Sequence, residues 1–234
     1  LGSVHSIRAE DFAGGVQGVV VANYNAPKQT IISGSRPAVE AAIEEFKKIG
    51  LRARPIPVAC AFHSAIMAPA QGRLAGFLSS MELHQPRVEV FSNTTAAPHS
   101  HDPGAIAAQL VEHVVQPVRF ADEVEALYAA GVRIFVEVGP RNVLSGLTEQ
   151  ILGDRQHLAV ATDQPGRSGI VHLLHALGRL AAEGAAVCLD RLFAGASVTL
   201  LDLTTLPTQT TQEHLGPGTW LVNGGRAWPA TAGS

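Results

Sequence analysis

The sequence has little basic charge, only two cysteines and no long apolar run. Its 234 residues include 17 Lys and Arg against 20 Asp and Glu, for a net charge of -3. Without a basic cluster, nucleic acid is not an expected partner. No apolar run approaches the roughly 20 residues of a membrane-spanning helix, so no membrane contact is expected either. Cys60 and Cys188 lie far apart among apolar residues, which predicts reduced thiols packed in the core of a cytoplasmic protein.

A serine nucleophile in its usual sequence setting is also missing. Enzymes of the α/β-hydrolase class present this serine in a G-x-S-x-G turn between a strand and a helix. The nearest patterns, SGSRP (33–37) and LSGLT (144–148), have the wrong spacing. Neither cysteine stands in such a turn. We therefore identify no nucleophile in this chain.

Residues 1–60 have the pattern of a small ferredoxin-like domain. The β-rich runs VQGVVVANYN and QTIISG flank a turn at Asn25–Pro27 and predict two antiparallel strands. A helix follows, with Ser35 as its cap and Gly50 as its end. Further strands are predicted at LGSVHSI and over 52–59, which gives one sheet beside one helix.

Residues 61–164 alternate helices with short apolar strands, a pattern typical of a parallel sheet covered by helices. The predicted strands are 87–93, 133–140 and 157–162, and the predicted helices are 64–83, 105–115, 120–130 and 142–152. Residues 165–234 begin with a predicted amphipathic helix over 168–183. Its apolar stripe consists of Ile170, Leu173, Leu174, Leu177 and Leu180. From Leu200 onward the composition predicts an extended linker, with Trp220 and Trp228 holding it to the protein.

His63 is the candidate catalytic residue, because it lies between a predicted strand and a predicted helix. Open α/β sheets present functional groups at such junctions. The alternative is a structural histidine whose ring is satisfied by a backbone carbonyl, and spacing alone favours that alternative.

Two further patterns favour structural roles. The loop PHSHDPG contains His99, His101 and Asp102, which are possible zinc ligands. No supporting pattern accompanies them, so we predict a solvated loop and no metal site. The segment EVGPRNVLSG offers helix amides for an anion. A tight turn with Asn142 as the helix cap is the preferred interpretation.

Five segments in order resemble the acyltransferase domains of polyketide and fatty-acid synthases. They are VVVANYNAPKQTIISGS, PVACAFHSAIMAPA, VEVFSNTTA, QPVRFADEV and GVRIFVEVGPRNVLSGL. The resemblance implies an α/β fold, in which a ferredoxin-like subdomain precedes the C-terminal part of an α/β-hydrolase-like parallel-sheet subdomain. The tail GTWLVNGGRAWP resembles the linker after the acyltransferase in iterative enediyne and polyunsaturated-fatty-acid synthases.

The resemblance also implies a two-step acyl transfer without a bound cofactor. A serine takes malonyl from malonyl-CoA as an ester and passes it to the phosphopantetheine thiol of an acyl carrier protein. His63 matches the general base, and the backbone carbonyl of His113 matches the acceptor for its second ring nitrogen. Asn93 matches a residue that helps to order the site. Phe62 matches the residue whose ring favours malonyl over methylmalonyl, although Cys60 departs from the histidine common at its position.

The family's serine elbow, its oxyanion Gln and its carboxylate-binding Arg have no counterpart in this sequence. We therefore expect the chain to be the C-terminal part of an acyltransferase followed by its linker. The N-terminal half, present as a separate piece, and neighbouring synthase domains are expected partners. The alternative function is a noncatalytic module that docks synthase domains. A G-H-S-x-G sequence upstream in the gene would favour the enzyme.

Overall fold

A computed structural model describes residues 2–5, 16–196, 204, 220–223 and 226–229. The chain divides into two compact units, residues 1–186 and 187–234. The boundaries predicted at residues 60 and 164 stay predictions. Within the described residues, no helix combines the length and the apolar character that crossing a bilayer requires.

The first unit opens with a four-stranded antiparallel sheet and one helix. Strands β1 (Gly2–His5), β2 (Val19–Ala26), β3 (Gln29–Gly34) and β4 (Ala53–Pro55) lie in the order β2-β3-β1-β4. A side chain at Gly34 would come within 2.5 Å of the Gly18 carbonyl oxygen, so only glycine fits at the end of β3. The predicted strand over 52–59 is confirmed only as the three residues of β4.

Helix α1 (Arg36–Lys48) covers one face of this sheet. Its buried residues Val39, Ile43 and Phe46 pack with Val19 and Ile32 of the strands. The Ser35 hydroxyl accepts a hydrogen bond from the Ala38 N–H, as expected of a helix cap. The predicted helix beside an antiparallel sheet is confirmed. Since residues 6–15 lie outside the described residues, the ferredoxin-like name stays an interpretation.

The rest of the first unit contains the predicted alternation of helices and strands. Its elements are α2 (Ala68–Ser79), β5 (Phe91–Ser92), β6 (Ala97–Pro98), α3 (Pro103–His113), α4 (Phe120–Ala129), β7 (Ile134–Glu137), α5 (Val143–Leu152), β8 (Leu158–Ala161) and α6 (Gly169–Ala182). Strands β7 and β8 pair in parallel, and every residue of β8 is buried. Val124 of α4 and Leu147 and Leu152 of α5 form the core beside them. The predicted parallel strands with covering helices are confirmed here.

Three predicted elements differ from the structure. The strand over 87–93 is paired only at Phe91–Ser92, where it joins β6 in a short hairpin. The helix over 64–83 begins as a 3-10 turn at Ala65–Met67 and ends at Ser79. The apolar stripe of α6 is partly exposed, since Leu173 and Leu174 face solvent while Ala176 is buried. Apolar patterning predicted these segments, but it did not predict which partners cover them.

Both cysteines are exposed, so their predicted place in the core is wrong. Cys60 lies in a bend after β4, and Cys188 directly precedes a 3-10 helix, Leu189–Phe193, of the second unit. The backbone is irregular at both cysteines. The apolar residues next to them in sequence therefore do not form one buried face that would include the thiols. The second unit also contains an antiparallel hairpin of β9 (Trp220–Asn223) and β10 (Arg226–Pro229) within the predicted linker. The side chains of Trp220 and Trp228 lie outside the described residues.

Candidate active site

His63 lies in a turn just before the 3-10 helix, with a backbone angle φ of 57°. A left-handed backbone costs a residue with a Cβ atom roughly 1–2 kcal/mol. Such a conformation persists where surrounding contacts fix it. The predicted strand-to-helix junction at His63 is therefore a turn, and no strand ends there. Contacts from other elements are needed to stabilise its backbone conformation.

The C-terminal end of α3 supplies those contacts through backbone carbonyls, which have no partners within the helix. The His63 N–H donates to the carbonyl oxygen of Val114 at 3.2 Å. Its Nδ1 atom lies 3.0 Å from the carbonyl oxygen of His113 and 2.9 Å from that of Gln116. Because both partners are acceptors, Nδ1 carries the proton and the lone pair of the neutral ring lies on Nε2. The ring is held in the tautomer of a general base.

The segment Gln116–Arg119 connects His63 to two other parts of the fold. Val118 joins β2 through two backbone hydrogen bonds of 2.8 Å. The Arg119 N–H donates to the backbone carbonyl of Asn93 at 2.6 Å. One short segment thus ties together the histidine turn, the small sheet and the loop after β5. Asn93 is placed in this framework by its backbone, and a role for its side chain stays a prediction.

The side chain of His113 also packs against His63. The two ring centroids are 5.0 Å apart, and the rings meet edge to face at 78°. The Thr94 hydroxyl is hydrogen-bonded to Nδ1 of His113. Burial lowers the pKa of His113, and the nearby rings of His63 and His99 lower it further. The His113 ring therefore packs against His63 as a neutral imidazole. The resemblance implied a role for the backbone carbonyl of His113 and none for its ring.

A cleft of about 180 Å³ opens beside His63. Phe62 and Cys60 line it from the turn, and Ile31 and Ser33 line it from β3. Phe62 is 49% exposed, so its ring is accessible in the cleft. A larger cleft of about 700 Å³, lined by several Lys and Arg side chains near β4, does not include His63. The smaller cleft is the candidate site, because it adjoins the oriented imidazole.

The acidic residue of the candidate metal loop has a structural role. Asp102 Oδ2 accepts a hydrogen bond of 2.7 Å from the Ala105 N–H and so caps α3. His101 is within hydrogen-bond distance of Gln85. Across the described ranges, no group of His, Cys, Asp and Glu is arranged to hold a metal ion.

The amide groups at the N-terminus of α5 bind a side-chain carboxylate of the protein itself, that of Glu137. The Glu137 carboxylate accepts hydrogen bonds from the N–H groups of Leu144 at 3.1 Å and Ser145 at 2.7 Å. Asn142 is the N-cap residue of α5, as predicted, but its side chain makes no capping hydrogen bond. A carboxylate from the preceding strand satisfies the helix amides that a cap would otherwise reach.

Sequence reasoning missed three contributors to this site, namely the Gln116 carbonyl, the Thr94 hydroxyl and the Ser33 side chain. Gln116 and Thr94 act on residues distant in sequence, so no local pattern indicates them. Ser33 had a partial signal. It alternates with the buried Ile32 along a β-rich run, which places it on the opposite face of the sheet.

Comparison with known protein families identifies the class of this chain. The family model described as "Acyl transferase domain" matches residues 3–189. The chain therefore belongs to the acyl transferase domain family, and the resemblance stated from the sequence is confirmed at that level. Its α/β fold is confirmed as well by solved acyltransferase domains.

The relatives include both synthases and separate transacylases. The phenolphthiocerol synthesis polyketide synthase type I Pks15/1 of Mycobacterium marinum is 37% identical over 202 residues, which are 86% of this chain and 10% of that protein. The malonyl CoA-acyl carrier protein transacylase of Haemophilus influenzae is 37% identical over 143 residues, which are 61% of this chain and 46% of that protein. The chain thus spans under half the length of this transacylase.

Solved structures show the same relation. The acyltransferase domain from the second module of the salinomycin polyketide synthase matches with a TM-score of 0.73 at 29% identity. The match covers 85% of this chain and 48% of that one. An acyl carrier protein S-malonyltransferase from Vibrio cholerae matches with a TM-score of 0.64 at 33% identity, covering 70% and 55% of the two chains.

Proposed function

We propose that this chain is part of an acyltransferase that moves malonyl from malonyl-CoA to the phosphopantetheine thiol of an acyl carrier protein. The observation that carries the proposal is the orientation of His63. Two carbonyl oxygens, at 3.0 Å and 2.9 Å, hold its Nδ1 proton and direct the lone pair to Nε2. The relatives named above support the substrate class, because one carries malonyl CoA and acyl carrier protein in its name.

In this proposal His63 transfers one proton in each half of the reaction. Nε2 accepts the proton of a serine hydroxyl as the serine oxygen attacks the malonyl thioester. When the tetrahedral intermediate collapses, the C–S bond breaks and the imidazolium returns the proton to the thiolate of coenzyme A. In the second half, Nε2 accepts the proton of the phosphopantetheine thiol as its sulfur attacks the malonyl ester, the C–O bond to the serine breaks, and the imidazolium returns the proton to the serine oxygen. A carbonyl partner at Nδ1 keeps the tautomer without adding a negative charge.

The serine of this scheme is proposed to lie on a segment outside these 234 residues, together with the oxyanion Gln and the carboxylate-binding Arg. Large apolar side chains left open on the first unit support a further covering segment. Val138 is 83% exposed after β7, and Val88 is 74% exposed before β5. A G-H-S-x-G sequence upstream in the same gene is the expected finding.

Phe62 is proposed to set the preference for malonyl. Its ring lines the cleft beside His63, where an additional methyl group would compete for space. Excluding one methyl group by shape is worth about 1–3 kcal/mol, so the preference is limited in size. The resemblance of the tail supports an iterative polyketide synthase of the enediyne type as the parent protein.

The test is acylation of the full-length protein by radiolabelled malonyl-CoA. His63→Ala should slow the labelling about 10²-fold or more, as expected for the loss of a general base. His84→Ala is the matched control, because this imidazole is 76% exposed and lies outside the candidate site. It should label at the rate of the unaltered protein.

Two outcomes would contradict the proposal. Equal labelling of His63→Ala and the unaltered protein would remove His63 from the reaction. The absence of any labelled serine, with no G-H-S-x-G sequence upstream, would favour the noncatalytic docking module instead.

A further inference from the structure

We infer that the Ser33 hydroxyl is a contact for the acyl unit bound beside His63. The inference rests on the proposed function and adds to it a substrate-positioning residue on β3, which neither the sequence motifs nor the resemblance indicated.

The position of Ser33 follows from the alternation of side chains along β3. Ile32 faces α1 and belongs to the core with Val39 and Phe46. The alternation turns the side chains of Ile31 and Ser33 to the other side of the sheet, and all three residues border the cleft. His63 lines the same cleft from the turn after β4. Ser33 and the candidate base His63 thus line the same small cleft, one from β3 and the other from the turn after β4.

The hydroxyl of Ser33 finds no hydrogen-bond partner among the described residues, although Ser33 is fully buried. Its exposed fraction is 0%, and no polar atom of the described residues pairs with its Oγ atom. Two further serines are buried in the described part of the chain, and both are paired. Ser64 Oγ donates to the Ala61 carbonyl at 2.6 Å, and Ser92 Oγ accepts from the Thr94 N–H at 3.2 Å. A buried hydroxyl without a partner costs free energy and calls for an explanation at its own position.

The surroundings of Ser33 are typical of a binding site for a small, mainly apolar group with a few polar atoms. Ala22, Ile56 and Val58 contribute apolar surface, and Ser33 and Asn23 contribute polar atoms. Sites of this kind fix the orientation of a ligand through few polar contacts. A malonyl thioester presents carbonyl and carboxylate oxygens, each of which can accept a hydrogen bond from a hydroxyl. The Ser33 O–H donates to one of these oxygens when the acyl unit is bound.

The test compares binding and stability in Ser33→Ala. The probe is an unreactive malonyl-CoA analogue in which a methylene group replaces the thioester sulfur, and its affinity for the full-length protein is measured by calorimetry. Ser33→Ala should bind this analogue about tenfold more weakly, as expected for one lost hydrogen bond. Its melting temperature without ligand should be unchanged or higher, because the variant removes an unpaired buried hydroxyl. Ser33→Ala should also lower kcat/KM for malonyl transfer by a similar factor.

Ser35→Ala is the matched control. Ser35 is an exposed residue that caps α1 and lies outside the cleft. This variant should lower the melting temperature slightly and leave analogue binding unchanged.

Three results separate the possible failures. Equal affinity of Ser33→Ala and the unaltered protein would overturn the inference alone. Malonyl found by mass spectrometry on Ser33 itself would also overturn it, since the residue would then be a nucleophile. If the unaltered protein does not bind the analogue, the proposed function fails and the inference fails with it.

Discussion

Helices α1 and α6 have similar amphipathic patterns, yet the two helices bury their apolar faces to very different extents. α1 buries Val39, Ala42, Ile43 and Phe46 against the antiparallel sheet. In α6 the buried residue is Ala176, and Ile170 is 75% exposed. The comparison shows that apolar periodicity predicts a helix and its apolar face, whereas burial depends on what the rest of the fold places against that face.

The same contrast separates the two parts of the first unit. The antiparallel sheet has a closed core under α1, whereas apolar side chains in and directly after β7, such as Val136 and Val138, are exposed. The candidate site draws on both parts. Its cleft is walled by the small sheet, and its histidine is held by the end of α3. A site built in this way depends on the connection made by Gln116–Arg119.

The largest effect on stability is expected from Phe46→Ala. This ring is 4% exposed in the core under α1, and its removal should lower the free energy of unfolding by about 3–5 kcal/mol. Leu174→Ala in α6 is the matched variant. Because Leu174 is 45% exposed, it should cost less than about 0.5 kcal/mol.

Urea denaturation of both variants measures the contrast. A large cost for Leu174→Ala would show that the apolar face of α6 is covered in solution, and the distinction between the two helices would fail.

A second expected effect is a loss of stability in acid that depends on His113. Burial lowers the pKa of this imidazole in the folded protein, so the unfolded chain binds the proton more readily. The stabilising contribution is complete above the ordinary histidine pKa of about 6.5 and is lost as the pH falls through the lower, folded value. The free energy of unfolding should therefore decrease from pH 8 to pH 5.

Denaturation across this pH range, with His113→Gln as the comparison, isolates the contribution. The variant keeps the backbone carbonyl that meets His63 and cannot be protonated. An identical pH dependence in both proteins would exclude His113 as its source.

The sequence predicts helices and strands well where the residues that stabilise an element lie close to it in the sequence. Ser35 and the apolar residues of α1 are such a case, and the parallel pair of β7 and β8 is another. It fails for the capping hydrogen bonds of α5, because Asn142 is the N-cap residue as predicted but the Glu137 carboxylate from the preceding strand makes these bonds. It also fails for the left-handed turn at His63, which contacts from the distant end of α3 maintain. For the candidate site, the resemblance implied the His113 carbonyl as the partner of the His63 ring, but the second acceptor at Gln116 required the fold.

The smallest expected effect compares the caps of two helices, one in each part of the first unit. Asp102 Oδ2 accepts from the Ala105 N–H at 2.7 Å in α3, whereas Ser35 Oγ lies 3.4 Å from the Ala38 N–H in α1. Asp102→Ala should lower the free energy of unfolding by about 1 kcal/mol. Ser35→Ala should cost about half as much, because its hydrogen bond is longer and its cap carries no charge. Urea denaturation at pH 7 measures both, and an effect of Asp102→Ala smaller than that of Ser35→Ala would contradict the capping role assigned to this carboxylate.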